Sequence, residues 1–526
     1  MTNSYKINLT TILFLGVVSS FSLPPYNYFI LNFFTFSLFF IILRAEINKK
    51  INLLKTFFLG WSFGFGYFLA SLYWISISIS FDLNFKYLIL ISLIIVSGFL
   101  AIFYGLSVLL FKFFFKNKNV FCSILIFCLS LGLFEFLRGN ILTGFPWNLI
   151  GYSFSKQLEF IQINSIIGIY GFNLICINLF TLPALFFKRK NNEKMYPLFI
   201  TLFLFLFSMS YGFFTLKNFD KVKYIPSEFK IVLISSQISL DRFYSSNDDN
   251  KIINELINLS DPSRFKNEKT VFIWPEGILP HTNVNNLLKF KDIIKKNFDN
   301  YHFIILGLNH EKIIKNEYKV YNSLVLINNS TEIMGIYDKK RLVPFGEFLP
   351  MQNVLSKIGL KSLTNNYQSY SPGKNKNQIL SIKNTKFNFL PLICYEIIYS
   401  GQISSSNEFK YIINISEDGW FGNSVGVHQH FAHSIYRSIE TGKYILRSSN
   451  NGITSIINPK GDIVSKVGIG DEGSLIFNKS KKNNKTFFYR YGNKIFFGIV
   501  LIYIILIYLF SREKTDKSSF FDINKS

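Results

Sequence analysis

The sequence predicts a two-part fold: a polytopic α-helical membrane domain of about eight transmembrane helices, and one α/β domain set before the last helix. Three observations predict it. Of the 526 residues, 49% are hydrophobic and 18% aromatic, with 61 Phe, more apolar surface than a soluble chain of this size needs to bury. Apolar stretches long enough to cross a bilayer, about 20 residues, recur through the first 215 positions and once near the end. The long segment between them lacks such stretches and carries short β-rich runs separated by Asn, Ser and Gly turns.

The spans fall at about 8–23, 27–43, 54–78, 86–111, 120–137, 160–186, 195–215 and 494–511. Met1 to Leu23 reads as a span and not as a removed leader, because Lys6 precedes it but no small-x-small cleavage site follows. Charges in the connections alternate. Arg44, Lys49, Lys50 and Lys55 fill the second, Lys112, Lys116 and Lys118 the fourth, and Lys188, Arg189, Lys190 and Lys194 the sixth. Leu23-Pro24-Pro25-Tyr26-Asn27 carries none. The positive-inside rule then puts the amino terminus in the cytoplasm, together with the tail holding Arg512, Lys514 and Lys517. Seven crossings leave residues from about 220 to 490 outside. The formal net charge of +24 fits such loops. No nucleic-acid-binding signature accompanies it.

The outer segment shows runs at Lys230–Ser236, Val271–Trp274, Phe303–Gly307, Ser323–Asn328, Phe387–Cys394, Tyr411–Ser416 and Ile453–Asn458. They alternate with helical stretches, as one α/β domain of about 260 residues would. The expected division is 1–219 for the membrane domain, 220–485 for the outer domain, and 486–526 for the last helix and tail. Polar 361–377 reads as a mobile loop. Cys122, Cys128 and Cys176 lie in apolar runs and read as small buried hydrophobes, which leaves Cys394 as the one thiol outside.

Three outer segments carry chemistry: Ile273-Trp274-Pro275-Glu276, Tyr337-Asp338-Lys339-Lys340-Arg341 continuing to Pro344-Phe345-Gly346-Glu347, and Leu392-Ile393-Cys394-Tyr395-Glu396. In each, an apolar run ends on a titratable residue followed by turn-like sequence, the way α/β enzymes present reactive groups. A Cys, a Lys and a carboxylate form a coherent nucleophilic set. The thiolate attacks an acyl carbon, the carboxylate moves protons, and the ammonium holds an oxyanion. No cofactor or metal is called for.

Glu, Lys and Cys in this order and in these motifs resemble the nitrilase, or carbon–nitrogen hydrolase, superfamily. Leu342-Val343-Pro344-Phe345-Gly346-Glu347-Phe348-Leu349-Pro350, Ser416-Glu417-Asp418-Gly419-Trp420-Phe421-Gly422 and Arg447-Ser448-Ser449-Asn450-Asn451-Gly452 resemble its membrane branch, the apolipoprotein N-acyltransferases. So do Phe63-Gly64-Phe65-Gly66 with Tyr73-Trp74, and Gly144-Phe145-Pro146-Trp147-Asn148-Leu149-Ile150-Gly151-Tyr152. The resemblance implies an αββα sandwich, a Glu276, Lys339 and Cys394 triad, and supporting roles for Glu347, Tyr395 and Glu396. It implies a phospholipid acyl donor and a diacylated apolipoprotein acceptor, in a bacterial inner membrane with the catalytic domain periplasmic. A membrane-anchored amidase and a non-enzymatic scaffold are the alternatives; eight spans exceed an anchor's need, and the complete Glu, Lys and Cys set speaks against a degenerate scaffold.

Lys340 competes for the lysine role, but Tyr337 and Lys339 share one strand face while Lys340 points to the other, and the motif's spacing to Glu347 also selects Lys339. The sequence departs from the family pattern at Ile238 and Ser239, at Gly277 and at Glu417. His428, His430 and His433 read as surface or packing residues, since their spacing does not bring all three to one helix face. Gly64 and Gly66 read as helix-packing residues. Glu135 and Arg138 read either as a functional pair at membrane depth or as an i, i+3 seal of a helix end.

Overall fold

The computed structural model describes residues 3–81, 88–115, 119–188, 196–244, 249–350, 369–374, 378–403 and 408–511. Lys116, Lys118, Arg189, Lys190, Lys194, the charges after Ser511, and 361–368 and 375–377 of the expected mobile loop lie outside the described residues.

Long helices occupy the expected spans: Asn3–Ser20, Ile30–Asn48, Leu53–Ser71, Ile89–Phe114, Val120–Asn140, Asn164–Thr181, Tyr196–Asp220 and Lys494–Ser511. Seven of the described helices are long and apolar enough to cross a membrane, not the expected eight. Asn3–Ser20 has the length, but Asn3, Ser4, Lys6, Asn8, Thr10 and Thr11 dilute its first turns. Two spans are interrupted. The third ends at Ser71, and a separate short helix, Trp74–Ser80, follows. The sixth breaks at Gly168, where φ is 65° and ψ 172°.

Helix Val120–Asn140 is mostly buried inside the protein and Lys494–Ser511 mostly exposed, so the first is a core helix and the second an outer one that faces lipid. Exposed Ile94, Ile95, Phe99, Phe113, Phe203, Phe207, Leu501 and Leu509 form an apolar exterior on helices Ile89–Phe114, Tyr196–Asp220 and Lys494–Ser511, a surface stable in a bilayer and not in water. Close crossings explain Gly64 and Gly66: a Cβ on Gly66 would lie 2.2 Å from the Leu13 carbonyl oxygen.

Among the described residues twelve strands follow: β1 Tyr224–Ser235, β2 Thr270–Ile273, β3 His302–Ile314, β4 Glu317–Asn328, β5 Ile333–Asp338, β6 Leu380–Ser381, β7 Asn388–Ile393, β8 Tyr411–Glu417, β9 Tyr444–Asn450, β10 Thr454–Ile457, β11 Ile463–Val467 and β12 Gly473–Lys481. They make two six-stranded sheets, ordered β12-β1-β2-β3-β4-β5 and β11-β10-β9-β8-β7-β6. Strands β1, β2 and β3 are parallel, as are β7, β8 and β9.

Side-chain alternation builds the layers. Ile231, Leu233, Val271, Ile273, Ile305, Leu324 and Leu326 join the core shared with the second sheet. Their neighbours Val232, Ile234, Phe272, Trp274, Ile304, Leu306 and Val325 pack beneath Ile252, Ile253, Leu256 and Ile257 of helix Asp249–Ser260 and Ile294 of helix Lys291–Asn297. Helix Val425–Thr441, capped by Ser424 and ended by left-handed Gly442, lies between the second sheet and the membrane helices. The result is the expected αββα sandwich joined to a helical membrane region.

Candidate active site

Strand order decides what meets. Because β5 is antiparallel to β4, and β4 to β3, the chain leaves β2, β5, β7 and β8 at one edge of the sandwich. Glu276 follows β2, Lys339 follows β5, Cys394 follows β7, and Glu417 ends β8. Glu276 approaches closely because Gly307 on β3 has no side chain; a Cβ there would lie 2.6 Å from the Glu276 Cα. Departure Gly277 turns the chain after Glu276 with φ at 54°, a conformation in which Thr or Ser is strained.

The Lys339 ammonium donates to Glu276 Oε1 at 3.1 Å and to Glu347 Oε1 at 2.9 Å. Asn322 on β4 donates to the same two oxygens at 2.7 and 2.8 Å, and its carbonyl accepts the Lys339 N–H at 2.8 Å. The second oxygens are held by backbone: Glu276 Oε2 accepts the Glu417 N–H at 3.0 Å, and Glu347 Oε2 the Val343 N–H at 2.8 Å. Lys339 is 1% exposed. Burial disfavours its charge, but Glu276, Glu347 and Cys394 outweigh that and hold its pKa well above the usual lysine value.

Cys394 closes β7 and opens a short 3₁₀ turn, Cys394–Ile398. Its φ of 47° is a left-handed conformation that costs a non-glycine residue about 1–3 kcal/mol and clusters at active sites. Burial pushes its thiol well above the usual range, Glu276 adds to that, and Lys339 opposes it. Cys394 therefore rests as a neutral thiol within electrostatic reach of an acceptor carboxylate and an ammonium. Glu396, two residues on, staples the neighbouring loops. Its carboxylate accepts the Ile393 N–H at 2.9 Å, the Tyr337 hydroxyl at 2.8 Å, and the N–H groups of Lys340 and Arg341 at 2.8 and 3.2 Å.

Tyr395 turns toward the membrane half, its hydroxyl donating to the Gly144 carbonyl at 3.2 Å; Tyr399 reaches the same oxygen at 3.1 Å. That loop is anchored from inside the membrane region. Glu135 accepts from Tyr104 at 2.8 Å and from Asn173, while Arg138 donates to the Phe145 carbonyl. Both charges are buried and 3.7 Å apart. The pair thus holds the loop against Tyr395 and Tyr399, a role beyond sealing a helix end.

The structure brings Glu276, Lys339 and Glu347 into one hydrogen-bonded cluster, with Cys394 beside it, and sets Tyr395 and Glu396 around Cys394. Sequence reasoning missed Asn322, which lies in an unbroken strand and has no motif. It also passed over His430, whose imidazole meets the Cys394 carbonyl at 3.2 Å and Asp418 at 3.0 Å. Among the described residues no group of three His, Cys, Asp or Glu side chains is arranged to hold a metal. Two departures meet: Arg242, in the turn after Ile238 and Ser239, forms a buried ion pair with Glu417 and donates to the Ile238 and Ser239 carbonyls at 3.1 and 2.9 Å.

Comparison with known proteins covers both halves. Residues 15–182 match the model of the apolipoprotein N-acyltransferase N-terminal domain, and 286–478 match carbon–nitrogen hydrolase. A curated apolipoprotein N-acyltransferase of Rickettsia prowazekii is 32% identical over 96% of this chain and 99% of its own. That of Wigglesworthia glossinidia brevipalpis is 32% identical over 95% and 97%, and that of Rhizobium etli 29% over 95% and 94%. A solved amidase from Nesterenkonia sp. overlaps 49% of this chain and 92% of its own at 10% identity, with a TM-score of 0.32. The match to full-length relatives runs through membrane and catalytic halves alike, and the chain belongs to the apolipoprotein N-acyltransferase family of bacterial multi-pass membrane proteins.

Proposed function

We propose that Cys394 is the nucleophile of a two-step acyl transfer from a phospholipid to the amino terminus of a diacylated lipoprotein, with Glu276 as base and acid and Lys339 as oxyanion partner. The enzyme is an N-acyltransferase acting on lipoproteins at a membrane. The observation that carries the residue roles is the cluster of buried Glu276 and Lys339 with half-buried Glu347, beside a strained Cys394 whose turn is bonded to the membrane half.

Glu276 takes the Cys394 proton. Its Oε2 accepts one backbone N–H, and a carboxylate oxygen has two lone pairs, so a site for that proton remains. The sulfur attacks the ester carbonyl, and the oxyanion is held by the Lys339 ammonium and the Tyr395 N–H. Collapse expels the lysophospholipid alkoxide, which takes the proton from Glu276 and leaves a thioester. The lipoprotein α-amine attacks that thioester, its proton passes to Glu276, and the thiolate leaves and is reprotonated. Glu347 shares Lys339 with Glu276 and keeps the ammonium charged.

On this reading residues 1–219, 220–485 and 486–526 are the membrane domain, the catalytic domain, and the last helix with its tail. The catalytic domain faces the periplasm, and both termini lie in the cytoplasm of the inner membrane, in keeping with the loop charges. Both substrates are lipid-anchored, so a site tied to membrane loops meets them where they reside. The test incubates the full chain with phospholipid vesicles and a diacylated lipopeptide, and reads the products by mass. Triacylated peptide and an acyl adduct on Cys394 are expected. Hydrolysis of a small amide without triacylation, or an adduct that persists in Cys394→Ala, would overturn the reading.

A further inference from the structure

The peptide linking Cys394 to Tyr395 joins two functions. Its carbonyl belongs to the nucleophile, and its N–H is the backbone donor of the oxyanion. The only cis bond among the described residues is Pro24–Pro25, so this peptide is trans, and its carbonyl and N–H point in opposite directions from one rigid plane. Whatever fixes the carbonyl fixes the aim of the N–H.

His430 fixes it. Its Nε2 lies 3.2 Å from the Cys394 oxygen, and a carbonyl only accepts, so Nε2 carries a proton. Across the ring, Nδ1 lies 3.0 Å from Asp418 Oδ1 and 3.2 Å from Arg447 Nη2. Arg447 Nη2 also donates to both Asp418 oxygens, at 2.9 and 2.7 Å. Burial and the Arg447 charge hold the imidazole below its usual pKa, against the pull of Asp418. Nε2–H donates to Cys394, and Nδ1 sits between the Asp418 carboxylate and the Arg447 guanidinium. The ring plane is fixed as well. Trp147, from the membrane loop, stacks on it at 5.4 Å and 19°, and Phe421 meets it edge-on at 5.4 Å. His430, Asp418 and Arg447 have no exposed surface, so thermal reorientation of the assembly is restricted.

We propose that His430 is a positioning residue of the acyl transfer: its Nε2–H bond to the Cys394 carbonyl aims the Tyr395 N–H at the oxyanion, in a plane that Trp147 of the membrane loop holds. It touches neither substrate nor the reacting sulfur. The proposal rests on Cys394 being the nucleophile.

The test compares His430→Gln, whose amide N–H reaches the place of Nε2, with His430→Met, which has similar length and no donor. Two rates are read on the full chain in detergent micelles: acylation of Cys394 by alkyne-tagged phosphatidylethanolamine, and alkylation by iodoacetamide. Alkylation displaces iodide and builds no oxyanion, so it reports the thiol without the peptide's aim. His430→Met is expected to slow acylation about 100-fold, the scale of a lost oxyanion donor, with alkylation within about threefold of the wild type. His430→Gln restores acylation to more than about a tenth of wild type. Equal acylation in the two variants, or an equal fall of both rates in His430→Met, overturns the proposal. If His430→Met yields no folded protein, His430→Gln decides alone: acylation above a tenth of wild type supports the proposal and below it overturns it. Cys394→Ala separates the two readings, because label retained there removes the nucleophile assignment, whereas a clean Cys394→Ala leaves any failure with His430.

Discussion

At the scale of single residues, the adjacent lysines differ in what they can lose. Lys339 is enclosed by two carboxylates and an Asn, so truncating it leaves Glu276 buried and uncompensated, with half-buried Glu347 beside it. Lys339→Ala should cost about 3–5 kcal/mol of stability and at least about 100-fold in acylation, read by thermal unfolding and by acyl-enzyme mass. Lys340 meets Glu396 through its backbone N–H, a bond that side-chain truncation leaves intact. Lys340→Ala should stay within about threefold of wild type, as changes outside the core network do; the reverse ranking would move the lysine role. Cys394 makes a pH prediction. Its pKa is raised by burial and by Glu276, so thiolate is scarce at neutral pH and grows as pH rises. Iodoacetamide alkylation should keep accelerating through pH 9 without levelling off, and a plateau below pH 8 would mean that Lys339 dominates and the thiolate is preformed.

At the scale of elements, the site is a meeting of strand ends, and Glu396 fastens the two that carry Lys339 and Cys394. One carboxylate accepts N–H groups from Ile393 at the end of β7 and from Lys340 after β5, with the Tyr337 hydroxyl between them. Glu396→Gln keeps the shape but turns an NH₂ toward donors, so one or more bonds to a charged acceptor are lost, about 1.5–3 kcal/mol each. Acylation should fall at least about tenfold because the lysine and cysteine loops lose register, with the membrane helices still folded by circular dichroism; wild-type acylation would deny the staple. This scale also shows how far the chain could be read in advance. The Trp-Pro-Glu, Lys and Cys-Tyr-Glu segments were legible because each breaks an apolar strand with a titratable residue. Asn322 was not, because it sits inside a continuous β4 run and gains meaning only when β4 is paired between β3 and β5. Strand β9 was missed because Arg447, Ser448, Ser449 and Asn450 make its second half look like a loop, whereas they bond inward to Asn414, Ile234, Asn450 and Glu417. The breaks at Ser71 and Gly168 escaped because hydropathy measures apolar length, and both interruptions lie in segments that remain apolar.

At the scale of the whole molecule, the membrane helices are built into the catalytic part and not merely tied to it. Helix Val425–Thr441 is contacted by residues of the membrane half: Trp147 and Trp74 both donate to Gln429 Oε1, at 2.8 and 3.3 Å, and the Tyr436 hydroxyl donates to the Gly151 carbonyl at 2.7 Å. The same helix presents His430 to the Cys394 carbonyl. A change in the membrane loop therefore reaches Cys394 through two side chains, Trp147 and His430, in direct contact. If the membrane half served only as an anchor, replacing Trp147 would alter stability alone. If it shapes the site, acyl transfer should fall further than thiol reactivity. Trp147→Ala removes a buried ring worth about 3–5 kcal/mol, and its share felt at the Cys394 turn should lower acylation at least about tenfold. Trp147→Phe keeps the ring stack and loses one hydrogen bond, about 1 kcal/mol, so acylation should fall only about fivefold. Measuring both variants in vesicles, with iodoacetamide alkylation as the reference, separates the two accounts: a graded loss of acylation at constant alkylation marks a membrane domain that helps to form the active site, and equal loss of both rates marks a scaffold.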